Sequence, residues 1–397
     1  MRHDGSLCLV TKDILIKEYL SVYSKRKCHE TPNLDVLAQK GTVFMRHYTA
    51  APSTAMAMAA MLTGRYPYQT KNRYYVPVNS VDTDGKNLFN IAEARGLKSH
   101  ILWSKNYMKA ALPFLDCVDS GLVKIHTIDI NQTIGPHNKN TAVIERNVEL
   151  ENRSMDTLFD AIVKIMHADE KIFLWIHLPH VLKGRSGYGD DIDLLDKTIG
   201  KIREYISDEA IYISADHGNM NGQKGKYGYG FDVYESAISI PLITPRIGNN
   251  TFVEFPTSNR DIGEIIFNHS IPQNQFVLSD TAYYAQPNRK IAIIQDRYKY
   301  IYNKFKRAEE LYDILFDPSE NVNLLDQVYF DPDRRIRYDK REAYYYPYWP
   351  AAIEAARICR AQKNELWKTG APMEELWERL KFSLKHVKYK YRQLLGK

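Results

Sequence analysis

Apolar and β-branched residues gather in short runs along this chain, and stretches with helical spacing separate them. The runs at 6–11 (SLCLVT), 99–103 (SHILW), 171–177 (KIFLWIH), 210–215 (AIYISA) and 237–243 (AISIPLI) predict strands. Between them, 31–41, 87–96, 155–166 and 192–206 predict helices. In the second of these, Leu88, Ile91 and Ala92 share a face and Gly96 supplies the stop. Such alternation predicts an α/β unit with a mainly parallel sheet covered on both faces. From about 276 the pattern changes to short strands joined by turns, QFVLSD, KIAIIQD and YKYIYN, which predict a small antiparallel subdomain. A segment dense in Tyr, Arg and Pro follows 331. Over 372–397, Leu376, Leu380, Leu384, Val387, Tyr391 and Leu394 recur at three- and four-residue steps and predict a helical tail. The expected division is therefore 1–275, 276–330 and 331–397.

Composition narrows the class. The 397 residues, 44% hydrophobic and 26% charged, suit one large globular α/β domain with an appendage. No apolar run approaches the roughly 18–20 residues that cross a bilayer. The opening MRHDGSLCLVTKD lacks the apolar core of a signal peptide, so the expected location is cytoplasmic. Cys8, Cys28, Cys117 and Cys359 have no CxxC spacing and suggest neither a zinc site nor a disulfide framework. Net charge is +6, and the tail from 331 carries 16 Lys/Arg against 9 Asp/Glu. That modest, localised charge comes without a nucleic-acid motif, so no nucleic-acid partner is expected. A basic amphipathic tail can touch an anionic membrane surface, but docking of its apolar stripe on its own domain is the simpler reading.

Two stretches carry candidate chemistry. In AIYISADHGNMNGQKGKYGYG a buried strand runs into Asp216-His217-Gly218, at the carboxyl end where open α/β sheets bind ligands. Adjacent Asp and His offer a hard oxygen and an imidazole nitrogen, half of a divalent-metal site, and Gly218 lets the backbone turn to expose both. The alternative is a loop-capping Asp beside a satisfied polar His. Asp13 leaves the first strand in the same way as Asp216, and neighbouring strands would bring both carboxylates into one crevice. The second stretch, TAAPSTAMAMAAMLTGRYP (49–67), reads as a buried helix with Ser53-Thr54 at its front. On local pattern alone, Thr54 is a helix cap or a nucleophile.

Three blocks resemble signatures of the sulfatase family, within the alkaline phosphatase superfamily. They are TPNLDVLAQKGTVFMRHYTAAPSTAMAMAAMLTGRYP, SADHGNMNGQKGKYGYGFDVYESAISIPLI and YKYIYNKFKRAEELYDILFDPSENVNLLD, in the family's order. The resemblance implies an alkaline-phosphatase-like α/β/α sandwich and metal-assisted hydrolysis or transfer of sulfate or phosphate esters. It implies that Asp13, Asp216 and His217 are metal ligands and that Thr54, counted back from Leu62-Thr63-Gly64-Arg65, is both nucleophile and ligand. It places His180, with His177 just before it, and Lys105 near the substrate anion, and it makes Arg65, Lys224 and Tyr229 substrate contacts. The implied cofactor is one divalent ion, Mn²⁺, Mg²⁺ or Ca²⁺ ahead of Zn²⁺.

Departures from the family pattern redirect the chemistry. Formylglycine formation needs Cys or Ser followed by Pro and Arg at +2 and +4, and here the order is Thr54-Ala-Met56-Ala-Met58. Lys12 replaces the first of two adjacent acids, Tyr229 a substrate-binding lysine and Lys224 a histidine, and the loss of that histidine argues against a complete second metal site. The expected function is thus phosphoester hydrolysis or transfer by a metal-activated threonine, on a small-molecule or glycan- or lipid-linked substrate. A degenerate sulfatase-like binding or scaffold protein is the second reading. A sulfuric ester hydrolase using unmodified threonine is the third.

Overall fold

The computed structural model describes residues 4–24, 29–70, 87–104, 117–118, 120–128, 155–167, 170–180, 189–281, 289–304, 306–325 and 349–368. Eight described strands form the central sheet: β1 (Leu7–Lys12), β2 (Thr42–Phe44), β3 (Lys98–Ser104), β4 (Val123–Ile128), β5 (Ile172–Leu178), β6 (Ile211–Ala215), β7 (Leu242–Thr244) and β8 (Phe252–Val253). Their spatial order is β8-β2-β7-β6-β1-β5-β3-β4. The five strands from β6 to β4 are parallel throughout. β7 runs antiparallel to both of its neighbours.

Strand side chains alternate between faces, and so build two cores. Cys8, Val10, Leu174, Ile176 and Ile213 pack on one side with helices α1 (Pro32–Lys40), α4 (155–166) and α5 (Gly189–Arg203). Leu9, Phe173, Trp175, Tyr212 and Trp103 pack on the other with α2 (Thr54–Thr63), α3 (Leu88–Glu93) and α7 (Ile262–Asn268). Because β1 and β5 are mostly apolar and buried on both faces, both faces need covering, and the α/β/α sandwich follows. Local signals set the helix starts. Asn87 accepts from the amides of Phe89 and Asn90 (2.9 and 3.1 Å) at the head of α3. Pro32 opens α1, and Asp196 of α5 caps the amides of Asn33 and Leu34 (3.0 and 2.9 Å).

The run at 237–243 departs from its expected single strand. Glu235–Ile238 is a short helix, α6, and Ser239–Ile240 pairs with His47–Tyr48 in a separate three-stranded sheet. After Pro241, which has no amide hydrogen for a ladder, β7 rejoins the central sheet.

Four antiparallel strands make the C-terminal sheet: β9 (Val277–Asp280), β10 (Lys290–Gln295), β11 (Tyr298–Asn303) and β12 (Ala308–Asp313). Helix α8 (Trp349–Lys368) lays Ala352, Ala355, Ala356 and Cys359 against it. The other face of this sheet, through Val277, Ala292 and Ile294, packs on Tyr48, Met220 and Val233. A buried ionic cluster reinforces that contact: Lys299 Nζ lies 3.0 Å from Glu235 and 2.6 Å from Glu320. The loop that follows β6 is thereby seated on the second sheet. The expected tail helix at 372–397 lies outside the described residues. No described helix is long and apolar enough to cross a membrane.

Candidate active site

Strands β6, β1 and β5 end side by side. Lys12 is in register with Ala215 and with Leu178, so the residue after each strand emerges at one edge. Asp13 and Asp216 therefore meet, as neighbouring parallel strands require. Ile14 turns the chain with φ at 55°, a left-handed conformation that costs a β-branched residue about 1–3 kcal/mol. The turn directs the Ile14 amide to Asp216 Oδ1 (3.3 Å) and the Leu15 amide to the His217 carbonyl (3.0 Å). Asp216 Oδ1 also accepts from the His217 amide at 2.6 Å.

The His217 ring has a defined tautomer. Its Nδ1 sits 2.8 Å from the Gly218 carbonyl, an acceptor only, so Nδ1 carries the proton and Nε2 presents a lone pair. Nε2 lies 3.5 Å from Asp13 Oδ1 and 3.5 Å from Asp216 Oδ2. Tyr229 stacks on this ring with centroids 4.7 Å apart. Gly218 is needed for space rather than for a positive φ. A Cβ there would lie 2.1 Å from the Ser236 carbonyl, against which the glycine packs. Gly218→Ala is expected to lower stability by about 1–3 kcal/mol, measured by urea denaturation, because backbone must shift to relieve the overlap.

Thr54 arrives from across the sheet on α2, whose ten residues are all buried. A helix apolar on every side is held in place by its surroundings, and Gly64 at φ 67° ends it. Thr54 is the first helical residue and Ser53 the N-cap, yet the Ser53 side chain makes no capping hydrogen bond among the described residues. The first-turn amides and the positive end of the helix dipole therefore face the cluster. Thr54 Oγ lies 3.3 Å from Asp13 Oδ1 and 3.2 Å from His217 Nε2.

These side chains fit a divalent cation. Ligand atoms of Asp13, Asp216 and His217 lie within 4.8 Å of one another, and all three residues are buried. Asp216 Oδ2 is a buried acceptor without a hydrogen bond among the described residues. Burial pushes the Asp216 carboxyl up to about 7; His217 opposes the shift and Asp13 adds to it. Two carboxylates with one imidazole, short of positive charge, form a hard-donor set that a divalent ion would complete.

Beside this cluster lies a second constellation, formed by Lys12, Asp191 and His180. Lys12 Nζ is fully buried and donates to Asp191 Oδ1 (2.6 Å), the Pro179 carbonyl (2.7 Å) and the Asp13 carbonyl (3.1 Å). His180 Nδ1 lies 2.7 Å from Asp191 Oδ2. Burial raises the Asp191 carboxyl, but Lys12 and then His180 outweigh it and hold the carboxyl below its ordinary range. The motif reading missed Asp191. Its only sequence signal is the acidic pair at the start of α5, which looks like ordinary dipole compensation.

The remaining candidates fall at varied places. His177 is buried in β5, with Nδ1 3.0 Å from Thr11 Oγ and Nε2 4.0 Å from Asp216 Oδ2. Burial pushes its ring down to about 4, with Asp13 opposing, so it is neutral. Lys224 bonds to the Glu320 carbonyl, with its ammonium 5.1 and 5.5 Å from the rings of Tyr312 and Tyr234. It thus docks on the C-terminal sheet. Arg65 follows the far end of α2, which at ten residues puts its backbone about 15 Å along the axis from Thr54. Lys105 lies outside the described residues.

With this geometry in place, comparison with known proteins defines the fold. The family model "Sulfatase" matches residues 10–181. A Bacteroides thetaiotaomicron VPI-5482 structure provisionally assigned as a sulfatase superposes with a TM-score of 0.64 at 15% identity, covering 89% of this chain and 94% of its own. A 2-O GAG sulfatase gives 0.62 at 14% identity, covering 89% and 93%. The phosphonate monoester hydrolase of Agrobacterium radiobacter gives 0.58 at 13% identity, covering 91% and 96%. No curated protein matches by sequence. The chain therefore carries the fold shared by these sulfatase and phosphonate monoester hydrolase structures, with an Asp-Asp-His cluster and a threonine at the carboxyl edge of its sheet.

Proposed function

We propose that the protein is a metal-dependent hydrolase or transferase of phosphate esters that uses Thr54 as its nucleophile. The observation that carries this reading is the position of Thr54 Oγ, 3.3 Å from Asp13 and 3.2 Å from His217 at the N-terminus of α2. Fold alone does not choose the ester, since the similar structures include both a sulfatase and a phosphonate monoester hydrolase. The residue at the head of α2 favours phosphate. Threonine cannot become formylglycine, whereas a threonine oxygen can attack phosphorus.

Asp13, Asp216, His217 and Thr54 would hold the divalent ion. When bound, the ion would lower the pKa of the Thr54 hydroxyl and offset charge on the transferring group. The residues then divide the work. Thr54, having lost its proton to water, bonds to phosphorus as the ester P–O bond breaks. His180, reacting as the imidazolium with its Nδ1 proton held toward Asp191, passes its Nε2 proton to the departing oxygen, which leaves as an alcohol. The α2 amides face the equatorial phosphoryl oxygens. Water or an acceptor alcohol then attacks the phosphothreonine, gives its proton to His180 and releases Thr54.

Paired aryl phosphate and aryl sulfate esters test the assignment. With Mn²⁺ present, turnover of the phosphate is expected to exceed that of the sulfate by at least about a hundredfold, a difference of roughly 2.7 kcal/mol in barrier. Preference for the sulfate would return the site to sulfatase chemistry.

A further inference from the structure

We propose that Asp191, paired with the buried Lys12, is the positioning residue of His180. It fixes the proton on Nδ1 so that Nε2 exchanges the proton with the ester's leaving oxygen. The inference rests on the phosphoester reading for its chemistry and on independent geometry for its structure. One carboxylate bridges an ammonium and an imidazole, at 2.6 Å to Lys12 Nζ and 2.7 Å to His180 Nδ1. Lys12 and Asp191 are essentially fully buried, and His180 keeps 15% of its side chain exposed, so only the imidazole end of the relay meets solvent.

Each partner has a reason to stay in place. The three donors of Lys12 match three acceptors, one carboxylate oxygen and two carbonyls. Those carbonyls belong to Pro179, next to His180, and to Asp13, in the ion-binding cluster, so Lys12 ties the two constellations together. Asp191 stands third in the fifteen-residue α5, where the helix dipole favours a carboxylate. His180 lies two residues beyond the end of β5, whose Leu178 carbonyl accepts from the Asp13 amide at 2.9 Å. The relay therefore opens at the same edge as Thr54. Lysine at position 12 thus contributes an internal cation that orients a proton donor, where an acid would have contributed a metal ligand.

Asp191→Asn has a distinctive expected consequence. Lys12 can only donate, so the amide oxygen must face it and the amide NH₂ must face His180 Nδ1. The ring is then forced into the tautomer that carries its proton on Nε2. With ¹⁵N-histidine labelling and a His180→Gln spectrum for assignment, two-bond correlations in the neutral ring should show the Nδ1–H form in the wild type and the Nε2–H form in Asp191→Asn. Rates with Mn²⁺ supply the second arm. For phenyl phosphate, a poor leaving group, Asp191→Asn is expected to lower kcat about a hundredfold. For p-nitrophenyl phosphate, which leaves without protonation, the loss should be under about tenfold. Adding Asp191→Asn to His180→Ala should cost no more than about a further twofold.

An Nε2–H tautomer in the wild type would overturn the proposal without any variant needing to fold. So would an unchanged tautomer in Asp191→Asn, or equal losses with both esters. The NMR arm uses no substrate, so its outcome is separate from the nucleophile reading, which fails on its own if turnover survives Thr54→Ala.

Discussion

Thr54→Ala is expected to lower turnover of a phosphate ester by about 10³–10⁶-fold while the protein melts close to the wild type. The size of the loss follows from removing the attacking atom rather than an assisting one. Stability should hold because alanine is the better helix former, and neither Thr54 nor Ser53 caps α2 through its side chain. Thr54→Ser separates the hydroxyl from the methyl. It keeps the oxygen and loses one buried methyl group, at about 1 kcal/mol, so activity within about tenfold of wild type is expected. A reversed order, with alanine active and serine inactive, would leave Thr54 a packing residue. Steady-state rates and thermal melts of the three proteins decide it.

Asp216→Asn should produce opposite effects on stability with and without metal. In the metal-free protein, burial and the facing Asp13 raise the Asp216 carboxyl to about 7, above its ordinary value of 3.8. A group raised in the folded state contributes stability that is full below its unfolded pKa and is lost as pH rises through its folded one. Wild type without metal is thus expected to lose this contribution between about pH 4 and 7. The asparagine variant, uncharged throughout, should match or exceed it above pH 7. With metal the order reverses. Wild type gains about 2.7 kcal/mol at a free ion concentration of 100 times Kd, and the variant gains little. Because the proton competes with the ion, the gain in wild type should shrink as pH falls below about 7. Thermal melts in EDTA and in Mn²⁺ across pH 5–8 read all three effects. An Asp216→Asn protein that keeps the full Mn²⁺ gain would remove Asp216 from the site.

Much of the fold was legible because apolar runs and strand ends carry strong local signals. β1, β3, β5 and β6 fall within a residue of the runs at 6–11, 99–103, 171–177 and 210–215. The short edge pieces were not legible. Phe252–Val253 and Thr42–Phe44 take their strand form from pairing with each other and with β7, not from a run of their own. The 237–243 run misled because periodicity does not register that one proline hands the chain from one sheet to another. At the site, Asp13 and Asp216-His217 were legible from their strand ends. Asp191 was not, because residues 12, 180 and 191 meet only after three separate elements converge. Arg65 and Lys224 match a motif by position, but helix length carries the first away from Thr54 and a sheet contact holds the second.

The identity of the atom that bonds to phosphorus decides the role of Thr54. Rapid acid quench of the enzyme turning over a phosphate ester, followed by peptide mapping, locates any trapped phosphoryl group directly. A phosphorylated Thr54 in the wild type, absent from Thr54→Ala, is the predicted result. Turnover with no labelled peptide, or with the label on Ser53, would contradict it.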